Sequence, residues 1–140
     1  MLFSKNRRAI IIGCGTLGAT IANTLCEKNY QVTIVDKSEK SFAELSPNFS
    51  GFTKAGDGTN LEFLELIEIR KASLVVAVTD DDNANSLIGQ IACKICKVPE
   101  VIIRFADAKK EHLIEGYPIK VIYPFDLMMD EFKRIIEEEI

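Results

Sequence analysis

Three glycines, in the run Gly13-Cys14-Gly15-Thr16-Leu17-Gly18, separate an uninterrupted apolar stretch, Ala9-Ile10-Ile11-Ile12, from a segment with helical apolar spacing. The chemistry this suits is phosphate binding. In a strand–loop–helix unit Gly13 permits the sharp turn, and Gly15, without a Cβ, lets a pyrophosphate reach the backbone. Gly18 lets the helix pack closely on the strand. Phosphates would then meet the unpaired N–H groups and positive dipole end of that helix, with Cys14, Thr16 and Leu17 completing the cofactor-contacting loop. Asp36 ends the next apolar run, 23 positions after Gly13, near the ~20 expected of a ribose-binding acid. A carboxylate there accepts hydrogen bonds from the adenosine ribose hydroxyls and repels a 2′-phosphate. NAD(H), ATP, ADP or AMP therefore fit, and NADP(H) fits poorly, although Lys37 could soften that exclusion. The plainer alternative is that the glycines serve only turn and packing, with Asp36 a strand-end turn residue.

Two more polar turns follow predicted strands, on the side where open α/β sheets bind ligands. In Gly56-Asp57-Gly58-Thr59, Asp57 is placed to hydrogen-bond the adenine amino group or a ribose, beside Gly58. Thr79-Asp80 would border the cofactor's far half. Asp, Gly and Thr at such turns often serve only the backbone. Cys93-Lys94-Ile95-Cys96 has redox or zinc spacing. A redox pair belongs at a helix N-terminus, whereas this one falls near a helix end, and zinc would need about two more ligands. The only histidine, His112, lies elsewhere on a polar stretch. The four cysteines, Cys14, Cys26, Cys93 and Cys96, read as buried reduced thiols.

Short β-branched runs alternate with amphipathic stretches throughout. Strands are expected over Ala9–Ile12, Gln31–Val35, Gly51–Ala55, Leu74–Val78, Val101–Phe105 and Lys120–Tyr123. Helices are expected over Thr16–Lys28, Ser38–Leu45 with Ser38 as N-cap, Asn60–Ile69, and around Leu87–Ile95. Leu127–Ile140 carries an apolar stripe of Met128, Phe132, Ile135 and Ile136, which packs either on its own domain or across a dimer interface. Five or six strands in βαβ units give a doubly wound, mainly parallel Rossmann-like sheet of about six strands, helices on both faces.

At 140 residues the chain has room for one domain, read as spanning 1–140. A composition 47% hydrophobic and 27% charged is that of a globular protein, not a disordered one. A net charge of -4 argues against a general nucleic-acid partner. The one basic cluster, Lys5-Asn6-Arg7-Arg8, reads as a solvated lead-in, or as a weak tether to an anionic membrane surface. No apolar stretch reaches the roughly 20 residues of a membrane helix, and no secretion signal is evident. A cytoplasmic protein without direct membrane insertion is expected.

These elements together resemble the RCK/KTN (TrkA N-terminal type) regulatory domains of potassium uptake systems and channels. The resemblance rests on Ile11-Ile12-Gly13-Cys14-Gly15-Thr16-Leu17-Gly18, Val35-Asp36, Gly56-Asp57-Gly58-Thr59, Ala77-Val78-Thr79-Asp80-Asp81-Asp82-Asn83-Ala84-Asn85, Val101-Ile102-Ile103-Arg104 and Val121-Ile122-Tyr123-Pro124. It implies a sensor that binds NAD(H) or an adenine nucleotide, forms a homodimer or larger ring, and controls a potassium-translocating membrane protein from the inner face of the membrane. It also implies Asp57 and Thr79 along the pocket and Arg104 near its dimer-facing or phosphate-facing rim. A neutral Thr16, where some ATP/ADP-responsive relatives carry a basic residue, favours NAD(H). The C-terminal ligand lobe common in the family is absent from this sequence. The rival reading is an NAD-dependent oxidoreductase or its cofactor-binding fragment, which would need a substrate site and a proton-transfer residue that the chain does not offer. A nucleotide-binding module unconnected with potassium and a methyltransferase are further alternatives.

Overall fold

The computed structural model describes residues 7–138. Lys5 and Asn6 of the basic lead-in, and the last two residues of the final apolar segment, lie outside the described residues. Six strands, β1 (Arg8–Ile12), β2 (Gln31–Asp36), β3 (Phe52–Ala55), β4 (Leu74–Ala77), β5 (Glu100–Arg104) and β6 (Ile119–Ile122), form one sheet in the order β3-β2-β1-β4-β5-β6. Every pairing is parallel, as the expected fold class requires. Helices α1 (Thr16–Glu27), α2 (Leu61–Leu66), α3 (Asp82–Gln90) and α4 (Pro124–Glu138) and several 3-10 turns make the connections.

Side chains alternate across a strand, so each central strand feeds two cores. Ile10, Ile12, Val75, Ala77, Val101 and Ile103 face Leu64 of α2 and Ile88 of α3. Ala9, Ile11, Val32, Ile34, Leu74 and Val76 face Ala19 and Ala22 of α1. This two-sided burial is why β1 reads as a continuous apolar run.

Element ends depart from the sequence expectation where packing is thin. The expected helix after Ser38 is a stretch of 3-10 turns, Glu39–Glu44, with no buried residue and no cap from the Ser38 side chain. Without a buried face so short a segment lacks what stabilises a regular helix. The helix begun at Asn60 ends at Leu66 and not at Ile69, because Glu68 takes φ 64° and a separate 3-10 turn, Ile69–Lys71, follows. Helix α3 runs on through π-type turns over Ile91–Ile95. Helix α4 begins at Pro124, earlier than its apolar stripe suggests, and none of its residues is buried. Among the described residues nothing covers its apolar stripe: Phe125, Leu127, Met128 and Phe132 are all more than half exposed. Among the described residues no helix is long and apolar enough to cross a membrane.

Candidate functional site

Parallel strands deliver all their C-terminal ends to one edge, and the strand order reverses between β1 and β4, where such sheets open a crevice. There the loops after β1 to β4, with the end of β5, enclose a cleft of about 420 Å³. Along its floor lie Gly56–Thr59 after β3, Asp36 and Lys37 after β2, Gly13–Gly15 after β1, Val78–Asp81 after β4, and Arg104 ending β5.

The three loop glycines divide the work. Gly13 has φ +110°, and a Cβ there would come 2.8 Å from the Thr79 nitrogen, so the turn requires glycine. A Cβ on Gly15 would meet nothing within 4 Å; it would project into open space at the N-cap of α1. A Cβ on Gly18 would overlap the Gly13 carbonyl oxygen. Gly18 is therefore a packing position, and with Thr16 and Leu17 it stands outside the cleft lining. Leu17 instead packs against the α1-side core.

Asp36 is held at both oxygens: Oδ2 accepts from the Cys14 N–H at 2.9 Å and Oδ1 from the Ser38 N–H at 2.9 Å. A carboxylate has about four acceptor positions, so roughly two remain, matching the two hydroxyls of a ribose. The Cys14 side chain is buried. Burial, with Asp36 and Glu44 adding negative charge nearby, pushes its thiol up to about 11, so it stays protonated. Asp57 Oδ1 accepts from both the N–H and the hydroxyl of Thr59, at 2.9 and 2.7 Å, and these bonds hold its carboxyl below the usual range, helped by the Lys37 charge.

Thr79 is committed to the fold. Its hydroxyl donates to Asn85 Oδ1 at 2.7 Å and accepts from the Asp81 N–H at 3.2 Å. Arg104 lines the cleft, and its Nε is buried with no hydrogen-bond partner among the described residues. An orphaned donor of this kind costs about 1–3 kcal/mol unless a ligand or water meets it.

Ten of the thirteen predicted site residues thus line one cleft. Sequence reasoning passed over the lining residues Ser41, Thr59 and Asp81 and the supporting Asp82 and Asn85. A signal for Asn85 was present: it shares helical spacing with Ile88 and Ala92, and a polar residue on an apolar stripe must be buried with partners. Cys93 and Cys96 stand outside the cleft, both thiols raised by burial, and all four cysteines are free. His112 and Tyr123 are on a different groove, where Tyr123 donates to Glu111 at 2.6 Å. Among the described residues no group of three or more side chains could hold a metal.

Residues 9–124 match the family model of the TrkA-N domain. The chain belongs to the TrkA-N domain family. Its relatives include the Trk system potassium uptake protein TrkA of Streptomyces coelicolor, 26% identical over 125 residues, 89% of this chain and 56% of that protein. The TrkA homolog of Methanothermobacter thermautotrophicus is 30% identical over 102 residues, 73% of this chain and 47% of that protein. The TrkA-N chain therefore spans about half the length, or less, of the curated relatives it matches. Among solved structures, the GsuK channel bound to NAD superposes with a TM-score of 0.80 at 20% identity, over 97% of this chain and 24% of that one. GsuK bound to ADP gives 0.79 at 20% identity, over 96% and 35%. These superpositions show the shared fold.

Proposed function

We propose that this chain is the nucleotide-sensing part of a potassium transport system, binding NAD(H) or another adenine nucleotide to control a membrane component. The observation that carries this reading is Asp36, locked to the Cys14 N–H of the glycine loop with acceptor positions to spare beside the open backbone at Gly15. Adenosine would sit over β2 and β3, its ribose on Asp36, its first phosphate at the N-terminus of α1, and the rest of the ligand over β4 and β5 toward Arg104. The cleft is lined by four carboxylates, Asp36, Asp57, Asp80 and Asp81, against two cations, Lys37 and Arg104. That balance disfavours a triphosphate and favours the less charged NAD(H). The TrkA relatives support the potassium reading, and the NAD and ADP bound by GsuK support the ligand class. The uncovered apolar stripe on α4 supports assembly into a homodimer or larger ring, peripheral to the cytoplasmic face of the membrane through its partner. A nucleotide shifts such an assembly only by binding two of its conformations unequally.

The test is a calorimetric titration of NAD+, NADH, ADP, ATP and NADPH into the purified protein. NAD(H) or another adenine nucleotide is expected to bind, NADPH to bind roughly tenfold or more weakly, and Asp36→Ala to weaken binding at least as much. No binding by any of them would make the glycine loop purely structural and overturn the reading. Neither His112 nor Tyr123 lines the cleft, which supports the sensor reading over an oxidoreductase.

A further inference from the structure

Arg104 could grip a ligand only if its main chain were held still, and that support comes from a residue outside the cleft lining. Asn85, in the first turns of α3, is 0% exposed. Its Oδ1 accepts from the Thr79 N–H at 3.0 Å and the Thr79 hydroxyl at 2.7 Å. Its Nδ2 donates to the Thr79 carbonyl at 3.0 Å and to the Arg104 carbonyl at 2.9 Å. One amide thus ties the end of β4 to the end of β5 with its hydrogen-bonding capacity filled. Thr79 in turn abuts Gly13 closely enough to exclude a Cβ. The contact chain therefore runs from the glycine loop through Thr79 and Asn85 to Arg104.

The segment after Arg104 is pinned by its neighbours. The Phe105 N–H donates to the Ile122 carbonyl at 3.0 Å, and Phe105 itself is fully buried. The near-buried Asp82 carboxylate takes the Ala106 N–H at 2.8 Å and the Asp107 N–H at 3.0 Å. Asp81 caps the helix that carries both residues through the Asn83 and Ala84 N–H groups. The first turn of α3 is a bracket around the Arg104 main chain. On this bracket stands a guanidinium whose buried Nε has no partner among the described residues.

We propose that Asn85 is a positioning residue for the far half of the nucleotide site, acting through Arg104 on the part of the ligand beyond its first phosphate. This rests on the nucleotide reading above. Strand spacing separates the two halves: Asp36 on β2 and Arg104 on β5 are three strands apart, about 14 Å at ~4.8 Å per strand. AMP seated on Asp36 ends over the glycine loop, whereas a dinucleotide continues to Arg104. Asn85 should therefore matter more to NAD+, which reaches Arg104 directly, than to AMP, which feels Asn85 only through the contact of Thr79 with Gly13. A residue that merely stabilised the fold would affect both alike.

The experiment measures AMP and NAD+ affinities of the full chain by calorimetry for wild type, Asn85→Asp, Arg104→Ala and the double variant. Asn85→Asp keeps the shape but replaces the Nδ2 donor with an acceptor facing two carbonyls; Asn85→Ser is the milder substitute if Asn85→Asp does not fold. Both single variants are expected to lose roughly tenfold or more in NAD+ affinity while AMP stays within about twofold. The double variant should lose no more than the worse single one. If the wild type binds no adenine nucleotide, the nucleotide reading falls and this inference with it. If the wild type binds, three results each overturn the inference alone. These are equal weakening of AMP and NAD+ by the Asn85 variant, multiplying losses in the double variant, and NAD+ binding unchanged by Arg104→Ala.

Discussion

Replacing Gly13 or Gly15 with alanine adds the same methyl group two residues apart, yet the structure assigns the two changes different consequences. At Gly13 the new Cβ would lie 2.8 Å from the Thr79 nitrogen and 2.9 Å from the Val78 carbonyl carbon and oxygen, where ordinary contact begins at 3.4 Å. All three atoms are backbone at the end of β4, so relief means moving a strand end by about half an ångström. Overpacking of this kind costs about 1–3 kcal/mol. The φ of +110° adds roughly 1–2 kcal/mol for any residue with a Cβ. The sum, about 2–5 kcal/mol, is a large part of a domain's typical ~5–15 kcal/mol stability. It corresponds to a melting point lowered by roughly 5–15 °C. At Gly15 the Cβ would meet nothing and φ is −86°, so stability should change by no more than about 1 kcal/mol. On the proposed nucleotide reading the methyl would instead stand where a phosphate approaches the N-terminus of α1, costing roughly tenfold or more in affinity. Thermal unfolding and NAD+ calorimetry on both variants separate these effects. A Gly13→Ala protein melting within about 2 °C of wild type, or a Gly15→Ala protein with wild-type NAD+ affinity, would refute the assignment.

Two further outcomes follow from the thiols and from α4. The buried Cys14 thiol, raised to about 11, holds its proton in the folded state over a range where the unfolded chain, at about 8.5–9, releases it. This contribution is complete below about pH 9 and is lost as pH rises toward 11. Urea midpoints should therefore fall over that window, less steeply in Cys14→Ala, and an unchanged slope would count against burial as the cause. Phe132→Asp combined with Ile136→Asp changes only exposed positions of α4. Single-chain stability should shift by about 0.5 kcal/mol or less per site, while sedimentation velocity should show a smaller assembly; an unaltered sedimentation profile would remove α4 from the interface.

The features legible in the sequence were those whose causes are local. β1 declared itself because both faces are covered, and the glycine loop because its turn, open N-cap and close helix contact lie within six residues. Asp36 was legible as a strand-end acid, but its bond to Cys14 was not, since the partner lies 22 residues earlier. Helical spacing with Ile88 and Ala92 marks Asn85 as buried, but not its partners, which lie 6 and 19 residues away at two strand ends. The end of α2 was missed because Glu68 adopts a left-handed backbone that residue type does not advertise. Tertiary surroundings decided the rest: Gly18 faces the Gly13 carbonyl and not the cleft, and the stripe on α4 finds no cover among the described residues.

Connectivity divides the sheet into two halves, β3-β2-β1 and β4-β5-β6, each wound by short crossovers and joined where Ala9–Ile12 pair with Leu74–Ala77. A ligand resting on Asp36 at one end and Arg104 at the other would be a strut across this seam. Its length and stiffness would then set how far the two halves can shear. Because α4 leaves directly from β6, the outermost strand of the second half, a small rotation at the seam would be levered outward along a 15-residue helix to whatever covers its apolar face. The shape of the occupant, more than the tightness of its grip, would be what reaches the neighbour.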